Sequence, residues 1–269
     1  MKRSAWEAAQ LFACACLGLF LLLPVVALFA TLSWADFVGG LRNPLLAPAL
    51  RLSLFTTTSS LALVVVLGSL LAWRVARNPG RLSRWLEAVS QIPAVIPPAV
   101  AGVGLLLAFG RRGLFGAFLD RHGIALAFTT PAVVLAEAFV SAPFFVQAAI
   151  AAFRRVDQNL LVVARTLGAS PFRTFLRVGL PLAAPGLVAG AAMSWARAVG
   201  EFGATILFAG NLTGRTQTMP LAVYTAMESD LRAAQALSII LVLTAFALLF
   251  FLRRVGPGVP LPGAELRSA

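Results

Sequence analysis

The chain of 269 residues has one lysine, one histidine, two cysteines and few charges of either sign. Each scarcity removes a class of function. Lys2 is the only lysine and no G-x-x-x-x-G-K-[ST] segment occurs, so the chain has no P-loop with which to cradle nucleotide phosphates. His122 is the single histidine, and no acidic or Cys/His cluster accompanies it. A hydrolase constellation or metal site is therefore not expected, and neither a catalytic residue nor a cofactor is implied. Cys14 and Cys16 share one apolar run with no second pair, which reads as small apolar helix residues and sets no redox compartment. Charged residues make up only 12% of the chain against 59% hydrophobic ones, and mean hydropathy is +0.89. That balance excludes an ordinary soluble protein.

What is present is a series of apolar runs near the ~20 residues that a helix needs to cross a bilayer. They lie at about Leu11–Trp34, Leu52–Trp73, Ile92–Phe109, Thr130–Phe153, Pro181–Gly200 and Ala233–Leu252. The class is an all-α, polytopic membrane protein with about six transmembrane helices. A cleaved signal peptide competes for the first run, but that run is long for one and ends without a clear A-x-A site. The third run carries Pro93, Pro97 and Pro98 with Gly102 and Gly104, so a kinked or broken helix is expected there.

The net charge of +12 would suggest nucleic acid in a soluble protein, but here the arginines sit beside apolar spans. With six spans both termini share a side, and basic residues favour that side by about two to one, which makes it cytoplasmic. The domain reading is a cytoplasmic N-terminus (residues 1–10), a transmembrane domain (11–252) and a cytoplasmic tail (253–269).

Between the fourth and fifth runs lies DQNLLVVARTLGASPFRTFLRVGLP, Asp157 to Pro181, on the cytoplasmic side. Asp157 reads as an N-cap, Gly168 as a left-handed stop, and Ser170-Pro171 as a second N-cap and first helical position. Two short helices bent at a glycine form a compact knob suited to docking.

Several polar residues need an account. Arg197 and Glu201 are four apart and can pair on one helix face near the outer membrane boundary, either as a tether or as an outer gate that breaks at Glu201-Phe202-Gly203. Glu137 lies inside the fourth span, where pairing with an arginine is the favoured reading and proton coupling the minority one. Thr56-Thr57-Thr58-Ser59-Ser60 reads as helix packing, with a pore lining as the sharper alternative. Asn211, Thr213, Thr216, Gln217 and Thr218 form a polar outer segment, read as a solvated turn or as a contact for a binding protein or oxyanion.

The knob resembles the EAA loop of ABC-type importer permeases: Glu-Ala-Ala, three residues, Gly, nine residues, then Ile-x-Leu-Pro. Ala164, Gly168 and Val178-Gly179-Leu180-Pro181 keep that spacing, while Val162 and Val163 stand where the family has Glu and the first Ala. The polar contact of that glutamate is thereby lost, and an apolar contact can substitute. A finer resemblance is to molybdate permeases, carried by IPAVIPPAVAGVGLLLAFGRRGLFG and by SWARAVGEFGATILFAGNLTGRTQTMPLAVYTAME. The resemblance implies import of molybdate, with tungstate or sulfate/thiosulfate as alternatives and an ion-coupled secondary transporter as a further one. Its implied partners are a cytoplasmic ABC ATPase dimer, an extracytoplasmic molybdate-binding protein and a second copy of the permease. The implied coupling residues are Val162, Val163, Ala164, Leu167, Gly168, Ala169, Ser170, Pro171, Phe172, Leu180 and Pro181. Gate or translocation residues would be Pro97, Pro98, Arg197, Glu201, Phe202 and Gly203, and Asn211, Thr216, Gln217 and Thr218 would serve in the outer loop.

Overall fold

In a hydrocarbon layer every backbone polar group must be satisfied inside its own segment, and the apolar runs accordingly fold as helices. The computed structural model describes residues 5–255, with side chains described for 6–250, so most of the expected C-terminal tail and Lys2 and Arg3 lie outside the described residues. Among the described residues, five helices are long and apolar enough to cross a membrane. They are α1 (Ala5–Ala30), α3 (Leu46–Arg77), α7 (Thr130–Arg155), the helix leading into and including α10 (Leu180–Val199), and α13 (Leu231–Val255). A short α2 (Trp34–Leu41) links the first two.

The third expected span, Ile92–Phe109, is broken, as its prolines predict. Its residues form α4 (Arg81–Val95) and α5 (Pro98–Phe109), bent by 115° at Ile96-Pro97. Neither proline can donate a hydrogen bond, and a residue before proline is driven out of the helical region; Ile96 sits at φ −72°, ψ 128°. The prolines thus split one run into two helices. The short α6 (Gly116–Arg121) follows, ending at His122.

α7 is the centre of the bundle. Its face of Ala138, Phe145, Val146, Ala149, Ile150 and Phe153 is buried against α3 and α10. α3 runs parallel to it, since Thr56 meets Glu137 while Arg77 meets the end of α7. α10 runs antiparallel and comes close because its facing residues are small. A Cβ added at Gly186 would lie 2.5 Å from that of Ala152, and one at Gly190 2.7 Å from that of Ala148. Gly186 and Gly190 form a G-x-x-x-G pair, the spacing that lets membrane helices approach through backbone contact. One turn on, the Ser194 hydroxyl donates to the Ser141 carbonyl at 3.0 Å.

Beyond α10 come α11 (Gly203–Phe208) and α12 (Met219–Ser229). α12 packs with α13 and the start of α3 around Leu46, Ala49, Met219, Ala222 and Leu237. The Ser53 hydroxyl of α3 accepts from the Met219 amide at 2.7 Å, supplying one of the acceptors that the first turn of α12 lacks.

An exposed knob and two facing helix breaks

Between α7 and α10 the chain leaves the bundle as α8 (Gln158–Thr166). The Asp157 carboxylate accepts from the Asn159 amide at 2.9 Å and fixes its start. Gly168, at φ +87°, ends it. The Ala169 amide donates to the Ala164 carbonyl and the Gly168 amide to that of Arg165, both at 3.0 Å, which together make a Schellman C-cap. The Ser170 hydroxyl then caps α9 (Pro171–Thr174) by accepting from the Arg173 amide.

The expectation of two short helices holds for α8 only. α9 runs through a π-helical turn, Phe175–Gly179, straight into α10, so Pro171 to Val199 form one continuous 29-residue helix. The Leu180 amide reaches back five residues to the Phe175 carbonyl, and this wider turn directly precedes Pro181, whose ring would clash in an ordinary α-turn. Leu180 and Pro181 therefore belong to the spanning helix and not to the knob. The knob exposes Val162, Val163, Leu167 and Phe172, Leu167 by 82%, with Arg165 and Arg173 exposed beside them. Ala164 and Ala169 are half-buried behind them.

At the other end of α10 the helix stops at Val199, and Glu201 and Phe202 are non-helical before α11 begins. The Arg197 guanidinium lies 2.8 Å from one Glu201 carboxylate oxygen, and the other oxygen accepts from the Ala204 amide at 2.7 Å. Each charge also has a favourable helix end, Arg197 at the C-terminus of α10 and Glu201 at the N-terminus of α11. Glu201 is buried, so this pairing offsets what a lone carboxylate would cost there. The break faces the one at Pro97-Pro98: a Cβ on Gly203 would meet Pro98 at 3.0 Å, and one on Gly102 would meet the Ala204 backbone at under 3.0 Å. Phe202 packs on Tyr224, ring centroids 5.4 Å apart. The break that holds Arg197, Glu201, Phe202 and Gly203 thus lies beside Pro98, where α11 packs on α5 and α7; Glu201 is buried, while Pro97 stays exposed.

Two expectations are corrected. Glu137 is buried but pairs with no arginine among the described residues; it accepts from the Thr56 hydroxyl of α3 at 2.9 Å. The hydroxyl patch on α3 supplies the polar partner, and the buried Thr56, Thr57 and Ser60 line a helix contact and not a pore. The outer segment is not a solvated loop either. Thr216, Gln217 and Thr218 are buried. The Thr216 hydroxyl accepts from the Leu212 amide, while the Gln217 and Asn211 side chains both donate to the Thr225 hydroxyl. Only 212–215 stay exposed. These polar residues close a tight turn onto α12, with Asn211 half-exposed and Thr213 exposed.

Packed helices of spanning length, one proline-broken helix pair and a knob with exposed apolar side chains mark a polytopic membrane transport component. The chain belongs to the family described as binding-protein-dependent transport system inner membrane component, whose pattern matches residues 64–259. It is 45% identical over 226 residues to the molybdenum transport system permease protein ModB of Mycobacterium tuberculosis, covering 84% of this chain and 86% of that one. The Escherichia coli ModB protein is 38% identical over 76% of this chain and 90% of its own. The sulfate transport system permease protein CysT of Escherichia coli is 35% identical over 89% and 87%. Among solved structures, a bacterial ABC transporter for import of the acidic polysaccharide alginate superposes with TM-score 0.78 at 16% identity, covering 100% of this chain and 98% of that one. The MetNI methionine ABC transporter gives 0.63 at 22% identity over 81% and 97%.

Proposed function

We propose that this chain is the membrane subunit through which an ABC importer moves molybdate into the cell, with ATP hydrolysed on a separate subunit. The observation that carries the reading is the capped, apolar knob at Val162–Phe172 on a chain that lacks a P-loop. Such a surface is built to receive force from another chain. The substrate reading is supported by the relatives named for molybdenum transport, at 45% identity against 35% for the sulfate permease. Sulfate is the second reading, because that relative covers 89% of the chain, against 84% for the molybdenum relative.

The partners are a cytoplasmic ABC ATPase dimer, an extracytoplasmic molybdate-binding protein and a second copy of the permease. The excess of basic residues beside the knob supports a cytoplasmic position for it and for both termini. No catalytic residue is needed in this chain. Closure of the ATPase dimer displaces α8 and the continuous helix from Pro171 to Val199. The far end of that helix is the break at Gly200–Gly203, which moves against the break at Pro97-Pro98 and opens the path alternately to either side. Arg197 and Glu201 keep the end of α10 attached to α11 during the movement.

Uptake of labelled molybdate by the assembled transporter in proteoliposomes, with tungstate and sulfate as competitors, tests the substrate. Molybdate uptake that excess tungstate suppresses and equal sulfate does not is the expected result. Sulfate uptake without molybdate uptake contradicts it.

A further inference from the structure

The last turns of α3 make contacts that neither the knob nor the helix breaks account for. Trp73 and Arg77 are four apart and share one face, with the guanidinium 5.3 Å from the Trp73 ring centre. Arg77 Nη2 donates to the carbonyls of Phe153 and Val156, the latter at 2.9 Å, and Nη1 donates to Gln158 Oε1 at 3.0 Å. The two carbonyls belong to the end of α7, where a helix leaves acceptors unsatisfied and carries its negative dipole end. Gln158 is the first residue of α8. One guanidinium therefore joins α3, α7 and the knob helix.

Trp73 makes the third connection. Its ring meets Phe153 and Phe175 edge-on, both at 5.3 Å, and Gly179 lies so close that a Cβ there would come within 2.4 Å of the indole. Phe175 and Gly179 bound the π turn that carries the knob into α10. Single-turn π segments are frequent at functional positions, and this one is packed against a rigid aromatic instead of lipid. Every covalent route from the knob into the bundle, through α7 on one side and through the π turn on the other, is thus held by the same two residues of α3.

We propose that Arg77 and Trp73 are positioning residues that lock α8 to α3 and α7, so that a displacement of the knob is delivered to the whole bundle at once. The proposal rests on the reading of this chain as an ATP-driven permease. The geometry states what each group does. The arginine fork fixes the entry of α8, and the indole fills the space beside Gly179 so that the π turn cannot yield locally. Lysine cannot replace the fork, since one ammonium does not span three acceptors in fixed planar geometry.

The test uses the complete transporter, permease with its ATPase subunit and binding protein, in proteoliposomes, and reads molybdate transported per ATP hydrolysed. A merely structural role lowers transport and hydrolysis together and leaves that ratio unchanged. Arg77→Ala is expected to keep the ATPase bound and hydrolysing while the ratio falls by about tenfold, the scale of lost charge-assisted hydrogen bonds. Arg77→Lys should recover part of it. Gly179→Ala, which pushes on the indole without touching Arg77, should lower the ratio in the same direction and decides the question if Arg77→Ala does not assemble. An unchanged ratio in Gly179→Ala and in an assembled Arg77→Ala overturns the proposal. A wild-type complex that hydrolyses ATP but moves no molybdate overturns the functional reading first, before any variant is compared.

Discussion

Two buried carboxylates, Glu137 and Glu201, solve the same problem in different ways. Glu201 has a full counter-charge in Arg197 and a helix amide, whereas Glu137 has a threonine hydroxyl. Glu137→Gln keeps an acceptor for Thr56, so molybdate uptake should be largely retained, whereas uptake abolished by this change would point to a proton-carrying carboxyl. Glu137→Leu removes that acceptor and should cost about 1 kcal/mol of stability, measurable by thermal unfolding in detergent. The i, i+4 pairing of Arg197 with Glu201 was legible because both partners lie on one local stretch. The partner of Glu137 was not, because Thr56 lies 81 residues away on a helix whose facing is settled only by packing. Asp36, outside the spans, accepts from the Ser33 hydroxyl and pairs with Arg232 of α13 at 3.1 Å. The Ser33 hydrogen bond, followed by the Arg232 charge, holds its carboxyl below the ordinary aspartate value of 3.8. A carboxyl lowered in this way contributes to stability at neutral pH and loses the contribution only as pH falls through the folded value. The link between α2 and α13 should accordingly persist down to pH 3.8, and a carboxyl-resolved NMR titration with its midpoint above 3.8 would contradict this.

At the scale of elements, the knob depends on how α8 ends. Gly168 is in the left-handed region with open space around it, so a side chain there meets no neighbour and its cost is purely that of the backbone. Gly168→Val should cost about 1–2 kcal/mol locally, loosen the Schellman cap and depress ATP-driven uptake while the spans insert normally. Normal uptake in that variant, measured at equal permease content, would count heavily against a docking role. Gly190→Leu acts on the opposite principle. Its added atoms meet Ala148 and Phe145, and overpacking of about 1–3 kcal/mol should appear as a lowered unfolding temperature of the whole bundle. The break at Pro97-Pro98 and the stop at Gly168 were readable from sequence because proline and glycine act through their own backbone chemistry. The continuity of α9 with α10 was not. Ser170-Pro171 signals a helix start correctly, but nothing local to Pro181 says that a π turn will carry the helix past it. The outer segment misled for a related reason: threonine and glutamine read as solvent-facing until their hydroxyl and amide partners are known, and those partners are the Leu212 amide and the Thr225 hydroxyl.

For the whole molecule, apolar run lengths and prolines were enough to predict an all-helical protein of about six spans with the third one broken, and the described residues hold five helices of spanning length and one bent pair. They could not specify that α7 sits at the centre or that the two helix breaks face each other, because both follow from which small residues meet across α5, α7, α10 and α11. That arrangement gives the molecule one continuous helix from Pro171 to Val199, with an exposed apolar surface just ahead of it and a non-helical break at its end. A lever of this form needs an external motor. The central claim is therefore tested most directly by the energy source of molybdate uptake in vesicles that hold the permease with its ATPase and binding protein. Uptake should stop when ATP is depleted and persist when an ionophore collapses the proton gradient. Uptake that follows the proton gradient and proceeds without ATP would contradict the account.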